Sequence, residues 1–187
     1  MTPGAAEISG TRRWTIVGLL FGAGFINYFD RAIVSVALPL IAIDLKLGPA
    51  SKGVLLSAFF WSYDLMQLPM GFFSDRLNPR WFYAGMFTLW SCACGVTGFA
   101  GTLGMLLLLR VILGIGESIY LPGGIKVVSL LFDSKARGLA SGLVNCGTRL
   151  GLALGAPLVA WLVVRYGWRR TFMIVGFSSL EIGRAHV

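Results

Sequence analysis

Long runs of apolar residues, separated by short polar turns, dominate the chain. A helix needs about 20 consecutive apolar residues to cross the hydrocarbon core of a bilayer. We predict six spans of this kind, the last of them incomplete: residues 14–43, 52–73, 81–99, 103–131, 138–164 and from 171 onward. The fourth span contains Pro122, Gly123 and Gly124, and we expect a bend there because proline removes a backbone donor. The pattern predicts an all-α polytopic membrane protein.

The composition supports this interpretation and excludes two other classes. Of the 187 residues, 56% are hydrophobic and 13% are charged, and the mean hydropathy is +0.78. In soluble domains about a quarter of the residues are charged, and disordered chains are poor in apolar residues. The net charge of +8 is spread over the turns and is not gathered in a run or stripe. The sequence therefore lacks the basic patch that is typical of nucleic-acid binding. The lipid bilayer is the predicted partner, with loops facing anionic headgroups.

The two ends of the chain lie outside the predicted transmembrane bundle, residues 14–180. We interpret residues 1–13 as a cytoplasmic N-terminal tail, because Arg12 and Arg13 favour an N-terminus inside. Counted over all loops, with Arg12 and Arg13 included, the basic residues number six on that side against five on the other and decide little. Residues 181–187 back-translate to a short-read sequencing adapter, GAG ATC GGA AGA GCA CAC GTC, so we set them aside as non-native. A genomic read that continues past Leu180 with other codons would contradict this hypothesis.

Small residues in the apolar runs have structural interpretations. Without a native histidine beside them, the three cysteines Cys92, Cys94 and Cys146 make a poor metal site, and we interpret them as small helix residues. No metal or other cofactor is expected. Gly147, Gly151 and Gly155 share one face of the fifth span, where small residues let helix backbones approach closely. The same close contact would also let one bundle rock against another.

The most informative residues are charges inside the apolar runs. A charge at membrane depth costs several kcal/mol by contested estimates, so such residues usually face a cavity and pair with one another. Two interpretations remain open, internal ion pairs that hold the bundle together and a transport site. The roles of Lys126 and Arg149 are less clear. The main candidates are Asp30, Arg31, Asp64, Arg110 and Glu117.

The chemistry of these residue types suggests proton coupling to an anionic substrate. Arginine stays protonated, and its planar fork matches a carboxylate. A carboxyl group in a low-dielectric cavity can exchange a proton near neutral pH, because desolvation and a nearby cation act on it in opposite directions. Tyr28, Tyr63 and Gln67 would add neutral hydrogen bonds, to the substrate or simply between helices. An enzyme would need a nucleophile–base pair or a metal cluster, and neither is visible, so we expect none.

At this point four motifs resemble one family. The turn after the second span, with Gly71, Asp75, Arg76 and Arg80, resembles the loop between helices two and three of the major facilitator superfamily, G-x-x-x-D-[RK]-x-G-x-[RK]-[RK]. Asn78 replaces its usual glycine and Trp81 its last basic residue, so the turn itself can differ. Arg110, Gly114 and Glu117 resemble its fourth-helix motif. Two further segments, Asn27-Tyr28-Phe29-Asp30-Arg31 and Gly167-Trp168-Arg169-Arg170-Thr171-Phe172, are similar to the anion:cation symporter family.

This resemblance, over residues 12–178, implies a fold and a function. The fold would be the six-helix N-terminal bundle of a twelve-helix transporter of the inner (cytoplasmic) membrane, with its C-terminal six-helix half missing from this chain. The function would be proton- or sodium-coupled symport of an organic anion such as a sugar acid, or alternatively export or antiport. The implied roles are proton coupling for Asp30 and Glu117, substrate binding for Arg31, Arg110 and Tyr63, and a cytoplasmic gate for Gly71, Asp75, Arg76 and Arg80. Tyr28 and Gln67 complete the predicted substrate site.

Overall fold

The structure, a computed structural model, describes residues 9–184, with side chains to Leu180. Helices make up almost all of this part of the chain, and it contains no strand. The predictions for residues 1–8 and 185–187 lie outside the described residues, and the origin of residues 181–187 stays a prediction. The helices are α1 (Gly10–Asp44), α2 (Pro49–Arg76), α3 (Pro79–Thr97), α4 (Leu103–Glu117), α5 (Tyr120–Leu131) and α6 (Ser134–Arg184).

Single residues place the start of α1 and the end of α2 differently from the hydropathy pattern. Helix α1 begins at Gly10, inside the predicted tail, because the Ser9 hydroxyl accepts a hydrogen bond from the backbone N–H of Arg12. Helix α2 continues through Arg76, so most of the predicted polar turn is helical. The turn shrinks to Leu77 and Asn78, since the residue before Pro79 disfavours helical torsions. Polar residues at a membrane surface can continue a helix, which hydropathy alone does not reveal.

The predicted fourth span divides into α4 and α5 at Ser118 and Ile119. The interruption lies four residues before Pro122. Proline has no N–H to donate to the carbonyl of the residue four positions earlier, and its ring crowds that carbonyl. The torsions of Ser118 and Ile119 nevertheless stay in the right-handed helical region. The backbone therefore stays helical at this point, but one regular helical hydrogen bond is lost immediately after Glu117.

The predicted loop at residues 165–170 is wrong in extent. Helical structure continues on both sides of Gly167, whose φ of 77° and ψ of 160° form the only non-helical step within α6. A positive φ is easily adopted by glycine and is unfavourable for other residues. One glycine therefore makes the whole connection between the predicted fifth and sixth spans.

Glycines bring α1 and α6 into backbone contact. A Cβ on Gly147 would meet the carbonyl of Phe21, one on Gly151 would lie 2.5 Å from the oxygen of Phe25, and one on Gly155 would lie 3.1 Å from Ala32. The predicted close packing of this glycine face is therefore present. Asp30 and Arg31 lie in the same part of α1.

A substitution at this contact is expected to destabilise the protein. Gly151→Ala would force α1 and α6 apart, at a cost of about 1–3 kcal/mol for an overpacked contact. Gly142→Ala is the matched control, because it lies on the same helix with nothing within 4 Å of the new Cβ. Thermal unfolding in detergent checks this, with a lower Tm expected for Gly151→Ala alone. Equal Tm values for the two variants would show that the backbones do not touch.

Three helices of the described chain are long and apolar enough to cross a membrane: Gly10–Asp44, Leu103–Leu131 and Ser134–Leu180. The second combines α4 and α5, and the third contains the step at Gly167. Helices α2 and α3 pack with these three around a shared core, whose largest fully buried side chains include Trp90, Phe87 and Phe172. Large apolar side chains also cover the outside, such as Leu68 and Val164, as expected of a surface that meets lipid or another protein.

Candidate functional site

Three of the predicted charges lie in the interior of the bundle. Asp30 on α1 is 1% exposed, and Arg110 and Glu117 on α4 are 4% and 0% exposed. Arg31 is partly buried beside them, with 20% of its side chain exposed. The spacing of seven residues places Arg110 and Glu117 two turns apart on one face of α4. The two charged pairs of the sequence, on α1 and on α4, thus form one cluster.

Glu117 receives two hydrogen bonds on the same oxygen. Asn27 Nδ2 donates to Glu117 Oε2 at 2.8 Å, and Arg31 Nε donates to that oxygen at 3.3 Å. Asn27 and Arg31 are four residues apart, so they lie on one face of α1. This face of α1 is therefore joined to α4 by an ion pair and a neutral hydrogen bond.

Aromatic rings enclose the guanidinium of Arg31. Its Cζ lies 4.4 Å from the ring centre of Tyr63, 4.9 Å from that of Tyr28 and 5.0 Å from that of Phe59. Rings at these distances attract a cation through their negative faces. The enclosure depends on close approach of α2 and α4, because a Cβ on Gly114 would lie 2.8 Å from the carbonyl of Phe59. The glycine of the fourth-helix motif thus has a packing role in the site.

Asp30 and Arg110 occupy the deeper part of the cluster. The thiol of Cys94, on α3, donates to Asp30 Oδ1 at 3.4 Å. The charge of Arg110 acts on both Asp30 and Glu117, and its Cζ lies 5.9 Å from the ring centre of Phe172 on α6. Five of the six helices, all but α5, therefore contribute a side chain to the cluster.

Several polar atoms of the cluster remain available for bonding. They are buried, and none has a hydrogen-bond partner among the described residues. Two are donors on arginines and three are acceptors, so the cluster can bind both an anion and protons. These atoms are Asp30 Oδ2, Arg31 Nη2, Arg110 Nη2, Glu117 Oε1 and Asn27 Oδ1.

Other candidate residues lie outside this cluster. Gln67, four residues after Tyr63 on α2, is half-buried and makes no hydrogen bond within the described part of the chain. Asp64 is exposed on α2, and Arg149 is exposed on α6. The structure thus brings Tyr28 and Tyr63 to the charged cluster and leaves Gln67 beside it.

The predicted gate residues contact α5 through one ion pair. Asp75, at the end of α2, accepts a hydrogen bond from Lys126 Nζ at 2.7 Å, with side chains 69% and 31% exposed. Gly71 lies next to Pro122, since a Cβ there would be 3.9 Å from the Cβ of Pro122. The predicted gate segment therefore joins α2 to the helix that follows Glu117, and Lys126 gains a partner that its sequence position did not reveal.

Arg76 and Arg80 do not take part in this ion pair. Arg76 stacks on Phe72 of its own helix, with 4.1 Å between Cζ and the ring centre, and Arg80 lies 5.6 Å from the ring centre of Trp81. Asn78, which replaces the motif's glycine, accepts a hydrogen bond from the backbone N–H of Arg80 and begins α3. In this turn an N-capping side chain therefore stands where the motif has a conformationally flexible glycine.

A charge swap is expected to test the gate ion pair. Lys126→Asp places two carboxylates side by side and should weaken the transport that the family resemblance predicts for the full-length protein, whereas Asp75→Lys with Lys126→Asp should recover much of the loss. The coupling energy of an exposed pair is about 0.2–1 kcal/mol, so changes of a few-fold in uptake rate are expected. A double mutant no better than Lys126→Asp alone would contradict a role for this pair.

At the opposite end of α1, Arg169 joins three elements. It donates to the carbonyl of Ala100 at 2.7 Å and to that of Gly98 at 3.4 Å, and it pairs with Asp44 at 3.0 Å. These contacts tie the end of α1 and the connection between α3 and α4 to α6. The Gly167–Phe172 motif therefore has a structural role at this end of the bundle.

Three residues of the cluster were not predicted as part of it. Asn27 was noticed only as part of a motif, although its position four residues before Arg31 places it on the same face. Cys94 was interpreted as a small apolar residue, and its contact with Asp30 spans 64 residues, which no local pattern reveals. Phe59, four residues before Tyr63, shares that residue's helix face and stacks with it, with ring centres 5.6 Å apart.

Comparison with known proteins places this chain within a family. The model of the Major Facilitator Superfamily matches residues 20–181. The Hexuronate transporter of Escherichia coli is 31% identical over 167 residues, which are 89% of this chain and 39% of that protein. A Cupriavidus necator protein named "Probable sulfoacetate transporter SauU" is 35% identical over 168 residues, 90% of this chain and 39% of the relative. The chain thus spans about two fifths of the length of these relatives.

A solved structure has the same fold. The crystal structure of a bacterial homolog of the human lysosomal transporter Spinster, in an inward-facing and occupied conformation, superimposes with a TM-score of 0.86 at 23% identity. The match covers 96% of this chain and 44% of that one. Together with the three apolar helices, this fold identifies a multi-pass membrane protein.

Proposed function

Because this chain belongs to the Major Facilitator Superfamily, we propose that it is the N-terminal six-helix half of a twelve-helix transporter for a small organic anion. The second half, and with it part of the substrate site, would come from the chain beyond these residues. We place the protein in the cytoplasmic membrane with its N-terminus inside, on the basis of Arg12 and Arg13. A transporter of this superfamily does not act as an enzyme.

The observation that supports anion binding is the position of Arg31. Its guanidinium lies among three aromatic rings, is partly exposed, and has Nη2 free of any partner among the described residues. The aromatic faces stabilise the cation when a substrate competes with Glu117 for it. A carboxylate or sulfonate of the substrate would then balance the charge of Arg31 in place of Glu117. Tyr63 and Tyr28 would contact the same substrate, and Arg110 would bind it or hold Glu117.

Asp30 and Glu117 are our candidates for coupling protons to this substrate. Both are buried, both are under the influence of Arg110, and each has an unpartnered oxygen. A carboxylate that loses its arginine to a substrate becomes an uncompensated buried charge, which protonation removes. Substrate binding and proton binding would then favour each other, which is the requirement for symport. We propose H⁺ as the coupling ion, with Na⁺ as the alternative.

The relatives' names and the two arginines support a proposal for the substrate class. One relative is named for hexuronates and another for sulfoacetate, both anions with a planar or tetrahedral oxyanion group. Arginine binds such groups through two parallel hydrogen bonds. We therefore propose a small carboxylate or sulfonate, with sugar acids as the first candidates.

The test is uptake into proteoliposomes that contain the full-length transporter. Labelled glucuronate should accumulate above equilibrium when the inside is made alkaline, and a protonophore should abolish this. A sodium gradient without a pH gradient should give only equilibration. Accumulation driven by sodium would replace H⁺ with Na⁺. Substrate movement against an opposing proton gradient would favour the export or antiport alternative, and lack of glucuronate, galactarate and sulfoacetate uptake would contradict the substrate class.

A further inference from the structure

The two buried carboxyl groups share one pattern of hydrogen bonding. Glu117 Oε2 accepts from Asn27 and Arg31, and Asp30 Oδ1 accepts from Cys94. The second oxygen of each, Glu117 Oε1 and Asp30 Oδ2, is buried without a partner in the described part of the chain. We propose that Asn27 and Cys94 are positioning residues for proton coupling: each holds one carboxyl oxygen and leaves the other to carry the proton. This inference rests on the proposed function.

The two protonation states of a carboxyl group differ in what they can donate and accept. An ionised carboxylate only accepts hydrogen bonds, whereas the acid has one O–H donor and one carbonyl oxygen that still accepts. A donor placed on one oxygen therefore suits both states, because protonation occurs on the other. Donors on both oxygens would face the added proton and would have to move. Asp30 and Glu117 can thus exchange protons without breaking the bonds from Cys94 and Asn27.

Asn27 has a second function in this arrangement. It donates to the same oxygen as Arg31, and it is itself completely buried. When a substrate takes the guanidinium of Arg31, the neutral bond from Asn27 still holds Glu117 in place. Glu117 then presents Oε1 for protonation in the same orientation before and after substrate binding.

Cys94 makes the corresponding contact from another helix. Cys94 is 1% exposed, and its thiol joins α3 to Asp30 of α1. The charged groups that act on Asp30 are Arg110 of α4 and Arg31 of α1, and those that act on Glu117 are Arg31, Asp30 and Arg110. Cys94 and Asn27 add neutral donors to this set of charges. They orient the carboxyls without adding a further cation.

The first experiment compares uptake by the full-length transporter as a function of pH. In Cys94→Ala the carboxylate of Asp30 loses a donor that stabilises it, so the midpoint of gradient-driven uptake should move about half to one pH unit towards alkaline pH. Cys94→Ser keeps a donor and should restore the midpoint. Cys92→Ala is the matched control, because it removes a half-buried thiol of the same helix and should leave the profile unchanged.

Asn27 is tested by separating substrate binding from turnover. Asn27→Ala should lower the maximal rate of proton-driven uptake about tenfold, while substrate KM changes less, because Arg31 is still present. Asn145→Ala, which removes an exposed amide from α6, serves as the control. A rise in KM alone, with an unchanged maximal rate and pH profile, would show that Asn27 acts on the substrate and would overturn its proposed role.

A spectroscopic measurement remains informative even where a variant does not transport. The S–H stretching band of Cys94, isolated by subtraction of the Cys94→Ala infrared spectrum, should shift between acid and alkaline pH in the wild type. In Asp30→Asn it should be independent of pH. If the S–H band of the wild type does not shift with pH, the proposal for Cys94 is overturned. A wild type that shows the shift but does not accumulate substrate contradicts the proposed symport and leaves the thiol contact intact.

Discussion

Asp30→Asn and Glu117→Gln are each expected to abolish gradient-driven accumulation in the full-length transporter. An amide resembles the protonated acid and can still accept the bond from Cys94 or Asn27, so the site keeps its shape. The amide cannot release a proton, however, and the link between substrate and proton movement is lost. Energetically downhill exchange of substrate should survive in at least one of the two variants. Accumulation and exchange are measured on the same proteoliposomes.

Asp64→Asn is the matched control for this pair. Asp64 is also an aspartate within a helix of the predicted membrane bundle, but its side chain is exposed and lies outside the cluster. It should accumulate substrate as the wild type does. If Asp30→Asn and Glu117→Gln both retain full accumulation, the two acids are structural and the assignment of proton coupling to them is wrong.

Arg31→Lys should reduce substrate affinity several-hundred-fold although the charge is conserved. Lysine has no planar fork, so it cannot give a carboxylate two parallel hydrogen bonds, and it stacks less well among Tyr28, Phe59 and Tyr63. Loss of a partner from a buried charged contact costs roughly 3–5 kcal/mol, which corresponds to this change in affinity. Binding of labelled glucuronate at equilibrium measures the effect directly.

Two further arginine variants make this result specific. Arg149→Lys changes an exposed arginine on α6 and should leave binding unchanged. Arg110→Lys distinguishes two roles for Arg110: affinity falls if Arg110 touches the substrate, and accumulation falls with little change in affinity if it holds the acids. An affinity for Arg31→Lys equal to that of the wild type would place the substrate away from Arg31.

The all-helical membrane class was predictable from hydropathy because a membrane span requires a long apolar run. The details that hydropathy missed are local backbone effects. Ser9 extends α1 into the predicted tail, and Pro79 ends α2 later than the polar residues indicate. The interruption at Ser118 falls one turn before Pro122 because the effect of proline acts on the preceding turn. Such effects depend on single side chains and torsions, to which an average over an apolar run is insensitive.

The site was predictable as far as its charges are concerned, because charges are rare at membrane depth. Asp30, Arg31, Arg110 and Glu117 stood out on that ground alone, and the structure brings them together. Neutral partners such as Cys94 have no comparable signal, since a cysteine in an apolar run is ordinary. Only the folded structure reveals its contact with Asp30.

The long sequence separation within the cluster has a consequence for the way this protein is made. Arg31 precedes its partner Glu117 by 86 residues, and Asp30 precedes Cys94 by 64. Ribosomes add about 5–20 residues per second, so α1 must wait roughly 4–17 seconds for Glu117 to be synthesised. Before α3 and α4 are made, its aspartate and arginine have no partner from these helices, and α1 depends on the translocon or an insertase to shelter them from lipid. Biogenesis, more than the finished bundle, should therefore be the stage at which changes to Asp30 or Arg31 alter the amount of protein a cell accumulates.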